Sequence, residues 1–187
     1  MAQKRKNWNG LISGFKASDL VFLDESGCNT DMTRRYAYSL GGSRAVDSAP
    51  LSKPKNTTIL SSIQLDGTLR YTTFSGGTTV ERFKRYLETD LLPHLNENSV
   101  LIMDNMESHH AKAVRNLLDS SGVRYIYLPP YSPDLNPVEK FWSKVKSFLR
   151  KFKARTLDAL PNAIQNAFHS VTISDCSGWF RFCGYAL

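Results

Sequence analysis

Two short apolar runs each end in an aspartate. Leu20-Val21-Phe22-Leu23 precedes Asp24, and Val100-Leu101-Ile102-Met103 precedes Asp104. A third acid, Glu139, follows Asp104 after an interval of 34 residues, in a stretch that reads as the first turn of a helix. Runs of this length suit buried strands better than helices. Buried strands that finish in carboxylates collect those groups at one edge of a sheet, where the crevices of α/β folds lie. Net charge is +7, which points to a polyanionic partner. Three acids gathered in a basic chain suggest divalent-metal chemistry on a nucleic acid.

The surrounding pattern alternates. Residues 1–18 are polar and basic and read as a leader or linker remnant, ahead of a domain spanning 19–187. Leu20–Asp24 is expected to be a strand closed by the turn-prone Glu25-Ser26-Gly27. Residues 29–56 show poor periodicity and suggest an excursion with short extended pieces such as Tyr36–Leu40. Thr57–Leu65 and Leu69–Phe74 bracket Asp66-Gly67, a strong hairpin signal. Thr78 with Glu81 makes a capping box for a helix carrying Val80, Phe83, Leu87 and Leu91. A helix is expected from about His109 to Asp119, stopped by Gly122, then a strand over Val123–Leu128. Phe141, Trp142, Val145, Phe148, Leu149 and Phe152 form one stripe of the helix after Pro137. Helices over about Leu157–Ser170 and Asp175–Phe182 complete an α/β domain with a mixed sheet.

Each acid also has a purely structural reading. Asp24 and Asp104 suit turns. Asn136 as N-cap, Pro137 at the first helical position and Glu139 at the third make a capping box. Their joint placement favours the other reading, because clustered carboxylates repel one another unless a cation neutralises them. Hard oxygen donors suit Mg²⁺ or Mn²⁺, and two such ions roughly 4 Å apart serve in-line phosphoryl displacement. No apolar run spans a bilayer, and the N-terminus lacks the apolar stretch of a secretion signal. Three cysteines without metal-type spacing fit a reducing cytoplasm. The phosphate loop of ATPases, the serine nucleophile elbow and the zinc-protease HExxH are all absent.

Three blocks carry a resemblance: Phe22-Leu23-Asp24-Glu25-Ser26-Gly27, Leu101-Ile102-Met103-Asp104-Asn105 with His109, and the proline-rich run from Leu128 through Pro133 and Pro137 to Glu139. In these blocks, and in the 34-residue interval, the chain resembles the catalytic domain of transposases of the IS630/Tc1/mariner superfamily, bacterial IS630 type in particular. The resemblance covers roughly Val21 to Tyr185. It implies an RNase H-like fold and assigns Asp24, Asp104 and Glu139 to a catalytic DDE triad holding two Mg²⁺ or Mn²⁺ ions. It further implies cleavage at transposon ends, strand transfer into double-stranded target DNA at a TA dinucleotide, a homodimer, and association with the bacterial nucleoid. Relatives normally begin with helix-turn-helix segments. Too little sequence precedes Asp24 to hold them, so the chain looks like a catalytic half, either the second reading frame of a split element whose helix-turn-helix segment is encoded separately or a truncated copy. Two other readings remain open: a nuclease of the same fold without strand transfer, and an inactive DNA-binding remnant.

Among the remaining candidates, Asn105 and His109 stand beside Asp104 and suit an orienting role, with the resemblance favouring His109 over His110. Lys140, Lys144, Lys146, Arg150, Lys151, Lys153 and Arg155 form a basic run without an acid. The first five, with Arg34 and Arg35 from the excursion, are candidates for DNA phosphate contacts. The prolines around Tyr131 suit a stiff connector that sets how Glu139 meets the two strand aspartates.

Overall fold

The computed structural model describes residues 2–34, 36–51 and 54–186, with side chains from residue 7 onward. Helix α1 (Ala2–Ile12) leads into strand β1 (Leu20–Cys28), followed by β2 (Thr57–Gln64) and β3 (Leu69–Ser75). Helix α2 (Val80–Tyr86), β4 (Val100–Met103), α3 (Lys112–Ser121) and β5 (Arg124–Tyr127) come next. The chain closes with α4 (Pro137–Phe152), α5 (Ala159–His169) and α6 (Ile173–Phe182). The five strands form one mixed sheet in the order β3-β2-β1-β4-β5. The β1–β2 and β2–β3 pairs are antiparallel, while β1–β4 and β4–β5 are parallel.

Strand alternation divides the core between the two faces of the sheet. Leu20, Phe22, Val100 and Ile102 face α4, α5 and α6, meeting Phe141, Val145, Ile164 and Phe180. Val21, Leu23, Leu101 and Met103 face α2 and α3, meeting Phe83, Tyr86, Val114 and Leu118. Central strands buried on both faces explain why their sequences are unbroken apolar runs. Phe22 and Phe180 pack edge to face with ring centroids 5.3 Å apart, and Phe141 packs the same way on Phe168 at 5.0 Å.

Several elements depart from their sequence-level reading. Strand β1 continues to Cys28, through the turn signal Glu25-Ser26-Gly27, because pairing with β2 persists to Cys28↔Thr57. Thr79, not Thr78, caps α2 by accepting from the Arg82 N–H at 3.3 Å, and the Thr78 hydroxyl donates to Glu25 instead. The expected helix from His109 becomes a 3-10 turn, Glu107–His110, with α3 starting only at Lys112. Gly122, at φ 73°, ends α3 as expected. No strand forms at Tyr36–Leu40 or elsewhere in the described part of 29–56. The polar stretch 1–18 contains α1, and Trp8 on it is only 3% exposed within the larger core. The cysteines are buried free thiols. No helix among the described residues is long and apolar enough to cross a membrane.

Candidate active site

The sheet puts two aspartates side by side. In the parallel β1–β4 pair the last matched residues are Leu23 and Met103, so the next step along each strand sets Asp24 beside Asp104. Asp24 shares the parity of Leu20 and Phe22 and therefore points to the sheet face covered by α4. Helix α4 begins there. Its N-cap Asn136 accepts from the Val138 N–H at 3.3 Å, and Pro137 occupies the first turn with Glu139. One cleft of about 410 Å³ is lined by Asp24, Asp104, Asn105, Asn136 and Glu139, with the segment Leu128–Pro133 as its wall.

The carboxylates are held differently. Asp24 is 9% exposed. Its Oδ1 accepts from the Glu25 N–H at 2.7 Å, and its Oδ2 accepts from Asn136 Nδ2 at 3.4 Å. Burial, reinforced by the charges of Asp104 and Glu139 and partly offset by the Glu25 N–H, pushes its carboxyl up to about 7. Asp104 is more open. His109 Nδ1 lies 2.8 Å from Asp104 Oδ1, which also accepts from the Met106 N–H at 3.1 Å. Burial opposes ionisation of Asp104, yet the His109 and Met106 hydrogen bonds outweigh it and hold the carboxyl below its ordinary value. Glu139 is exposed at the mouth of the cleft.

His109 is fully buried, its ring stacked on Phe83 at 4.2 Å and its carbonyl accepting from the Tyr127 hydroxyl at 2.9 Å. Its Nε2 is buried without a hydrogen-bond partner among the described residues. The 2.8 Å contact has the Nδ1–H donating to the Asp104 carboxylate, a proton position set by the hydrogen-bond geometry. His110 instead packs its ring against Tyr127 at 4.1 Å. The Asn105 amide donates to the Leu128 carbonyl and so ties the end of β4 to the proline wall. On that wall Tyr131 is 85% exposed at φ 54°, a left-handed conformation that a non-glycine side chain rarely adopts.

Three carboxylates and no Lys or Arg line this cleft among the described residues, although the chain is basic overall. Among the described residues no set of three or more His, Cys, Asp or Glu side chains is arranged to chelate one ion unaided. The donor chemistry nevertheless fits Mg²⁺ or Mn²⁺. Such ions bind through one or two carboxylates and fill the remaining positions with water and phosphate oxygens.

A family profile described as DDE superfamily endonuclease matches residues 19–161, most of the chain. The chain belongs to that family. Over 97 residues this DDE-family chain is 29% identical to the transposable element Tc1 transposase of Caenorhabditis elegans, a match covering 50% of the chain and 36% of the relative. The chain thus spans about a third of that curated relative. It superposes on a pre-cleavage Mos1 transpososome with a TM-score of 0.80 at 20% identity, covering 95% of this chain and 58% of that one. Against the catalytic domain of Mos1 mariner transposase the TM-score is 0.73 at 17% identity, with 96% and 85% covered. The RNase H-like fold and the Tc1/mariner resemblance read from the motifs are both borne out.

The basic candidates are not gathered in one place. Lys144 is ion-paired to Asp175, and Lys140 lies 3.9 Å from the centroid of the Phe182 ring, so both join α4 to α6. Lys151 lines the same shallow groove as these two. Lys146, Arg150 and Arg34 line a different one, on the side of the 29–56 excursion. Arg35 lies outside the described residues. Sequence reasoning took Asn136 as a helix cap only. Its contact with Asp24 bridges 112 residues of sequence and had no local signal.

Proposed function

We propose that residues 19–187 form the catalytic domain of a DNA transposase, with residues 1–18 a linker packed onto it through Trp8. In this reading the domain cleaves DNA at an element's ends and joins the freed 3′-hydroxyl to target DNA. The observation that carries it is an acidic cleft without basic residues, formed by Asp24, Asp104 and Glu139 within a DDE-family domain. Asp24, Asp104 and Glu139 would hold two Mg²⁺ or Mn²⁺ ions, which when bound supply Lewis acidity toward a phosphodiester. Structures of Mos1 paired-end complexes with Mn and with Mg support divalent-metal use.

The chain's own residues supply orientation. The Glu25 N–H and Asn136 fix Asp24, while His109 and the Met106 N–H fix Asp104, and both carboxylates line the cleft. Asn105 sets the distance of the proline wall from the two strands. The partners in this reading are double-stranded DNA at both element ends and target, a second copy of the chain, and a separately encoded helix-turn-helix segment. Its cellular place is the bacterial cytoplasm, on the nucleoid.

A joining assay tests the proposal. The protein, a helix-turn-helix segment supplied in trans, a duplex with a pre-cleaved 3′-hydroxyl end and a supercoiled plasmid are combined in Mn²⁺. Covalently joined plasmid is expected. Cutting without joining would indicate a nuclease lacking strand transfer. Salt-sensitive binding with neither reaction would indicate an inactive DNA-binding remnant.

A further inference from the structure

The excursion between β1 and β2 is an arm with fixed attachments. Asn29 donates to Asn56 across its base at 3.3 Å. Arg155, just past α4, donates through one guanidinium nitrogen to the carbonyls of Thr30 at 3.0 Å and Met32 at 3.3 Å. Lys153 is ion-paired to Asp47 farther along the arm. These two cations, the last of the basic run in the sequence, are therefore spent on holding the arm beside α4. Between arm and helix lies a groove of about 1040 Å³, more than twice the volume of the acidic cleft. Arg34, Lys146 and Arg150 line it, with Asp31 as the opposing charge. None of these three cations has an ion-pair partner among the described residues.

The groove is in line with the cleft. Lys146 and Arg150 stand 7 and 11 residues after Glu139 on α4, offsets that bring side chains back to nearly the same helical stripe. At 1.5 Å per residue they lie roughly 10 and 16 Å along the axis from the cleft carboxylate.

We propose that a single DNA strand leaves the acidic cleft along α4 and enters the groove under the 29–56 arm. Lys146 and Arg150 there meet phosphates of that strand a few nucleotides from the reacting one, Arg150 farther along the strand than Lys146. The inference rests on the cleft being the DNA-processing site. It separates the basic residues into those that build the protein (Lys140, Lys144, Lys153, Arg155) and those that hold the strand (Arg34, Lys146, Arg150). Lys151 belongs to neither set.

The test is DNA affinity in EDTA as a function of salt, independent of catalysis. Lys146→Gln and Arg150→Gln are each expected to weaken duplex binding roughly 3- to 10-fold and to reduce the salt slope by about one. Lys84→Gln serves as control: Lys84, on α2 on the opposite face of the sheet, is paired with Glu88 just beyond that helix, and its loss is expected to leave the slope unchanged. On a duplex that the protein cuts in Mn²⁺, single neutral methylphosphonates stepped through the first several nucleotides from the cut should weaken wild-type binding at the positions facing Lys146 and Arg150. They should have no further effect on the corresponding variant. Unchanged slopes in both variants, an equal drop in Lys84→Gln, or methylphosphonate effects that persist in the variants would each overturn the groove assignment. Normal slopes for the variants with Mn²⁺ cleavage intact would sink the groove alone. Absent cleavage with the predicted slope losses would sink only the catalytic reading.

Discussion

Asp24→Asn is expected to stabilise the metal-free protein at pH 8 while removing its activity. The carboxyl of Asp24 has a folded-state value of about 7 against an ordinary 3.8, first because it is buried and then because Asp104 and Glu139 stand near it. A raised acid favours folding most when protonated. Its contribution is complete below the unfolded value near 4 and is lost as pH rises through the folded value near 7. Above that, the ionised group costs about 4 kcal/mol, taking roughly 1.4 kcal/mol for each of three pH units. The amide carries no charge, so in EDTA at pH 8 the variant should unfold at distinctly higher urea concentration, and near pH 4 the two proteins should coincide. Millimolar Mg²⁺ should raise the midpoint of the wild type at pH 8 and do little for the variant. Cleavage should fall by on the order of 10³-fold or more. A variant as active as the wild type, or less stable at pH 8, would mean that Asp24 has another task. Stability surrendered at a buried carboxylate is a common mark of a functional site.

The second large effect is expected at His109. The Nδ1–H that meets Asp104 is its only polar contribution to the cleft, and the ring is otherwise a packing partner of Phe83. His109→Phe keeps an aromatic ring against Phe83 and deletes the donor. It should raise the Mn²⁺ concentration needed for half-maximal cleavage by about 10- to 100-fold, the usual cost of losing a group that orients a metal-binding side chain. His109→Asn places an amide donor near the position of Nδ1 and should recover much of that loss despite leaving a void. A purely structural residue would behave oppositely: the phenylalanine variant would match the wild type in metal requirement, and the asparagine variant would be the weaker of the two. The ratio between the variants therefore separates positioning from packing.

Where the signal was local, the sequence was a good guide. The Asp66-Gly67 hairpin, the Gly122 stop, the Asn136–Pro137 helix start and the strands ahead of Asp24 and Asp104 all form where turn chemistry and apolar runs place them. Pairing partners decided the cases where local signals misled. Strand β1 overruns its turn signal because β2 offers a ladder to Cys28, and Glu107–His110 form a tight 3-10 turn that sets His109 against Asp104. Within the candidate site the three acids were legible because strand ends and helix starts are written in short motifs. The Asn136–Asp24 contact, the burial of Trp8 and the Arg155 attachment of the arm were not legible. Each joins segments far apart in sequence, 125 residues in the case of Arg155 and Thr30, and no periodicity encodes such a meeting. Charge runs were the weakest guide, since a lysine reads the same whether it faces a phosphate, as proposed for Lys146, or an internal aspartate, as Lys144 does.

Whether Asp24, Asp104 and Glu139 share divalent ions is best settled by anomalous scattering from crystals soaked in Mn²⁺. Strong anomalous peaks are expected within the cleft, each coordinated by oxygens of at least one of these carboxylates and absent from crystals of Asp24→Asn. Manganese bound only elsewhere, or the same peaks in the variant, would contradict a shared-cation centre.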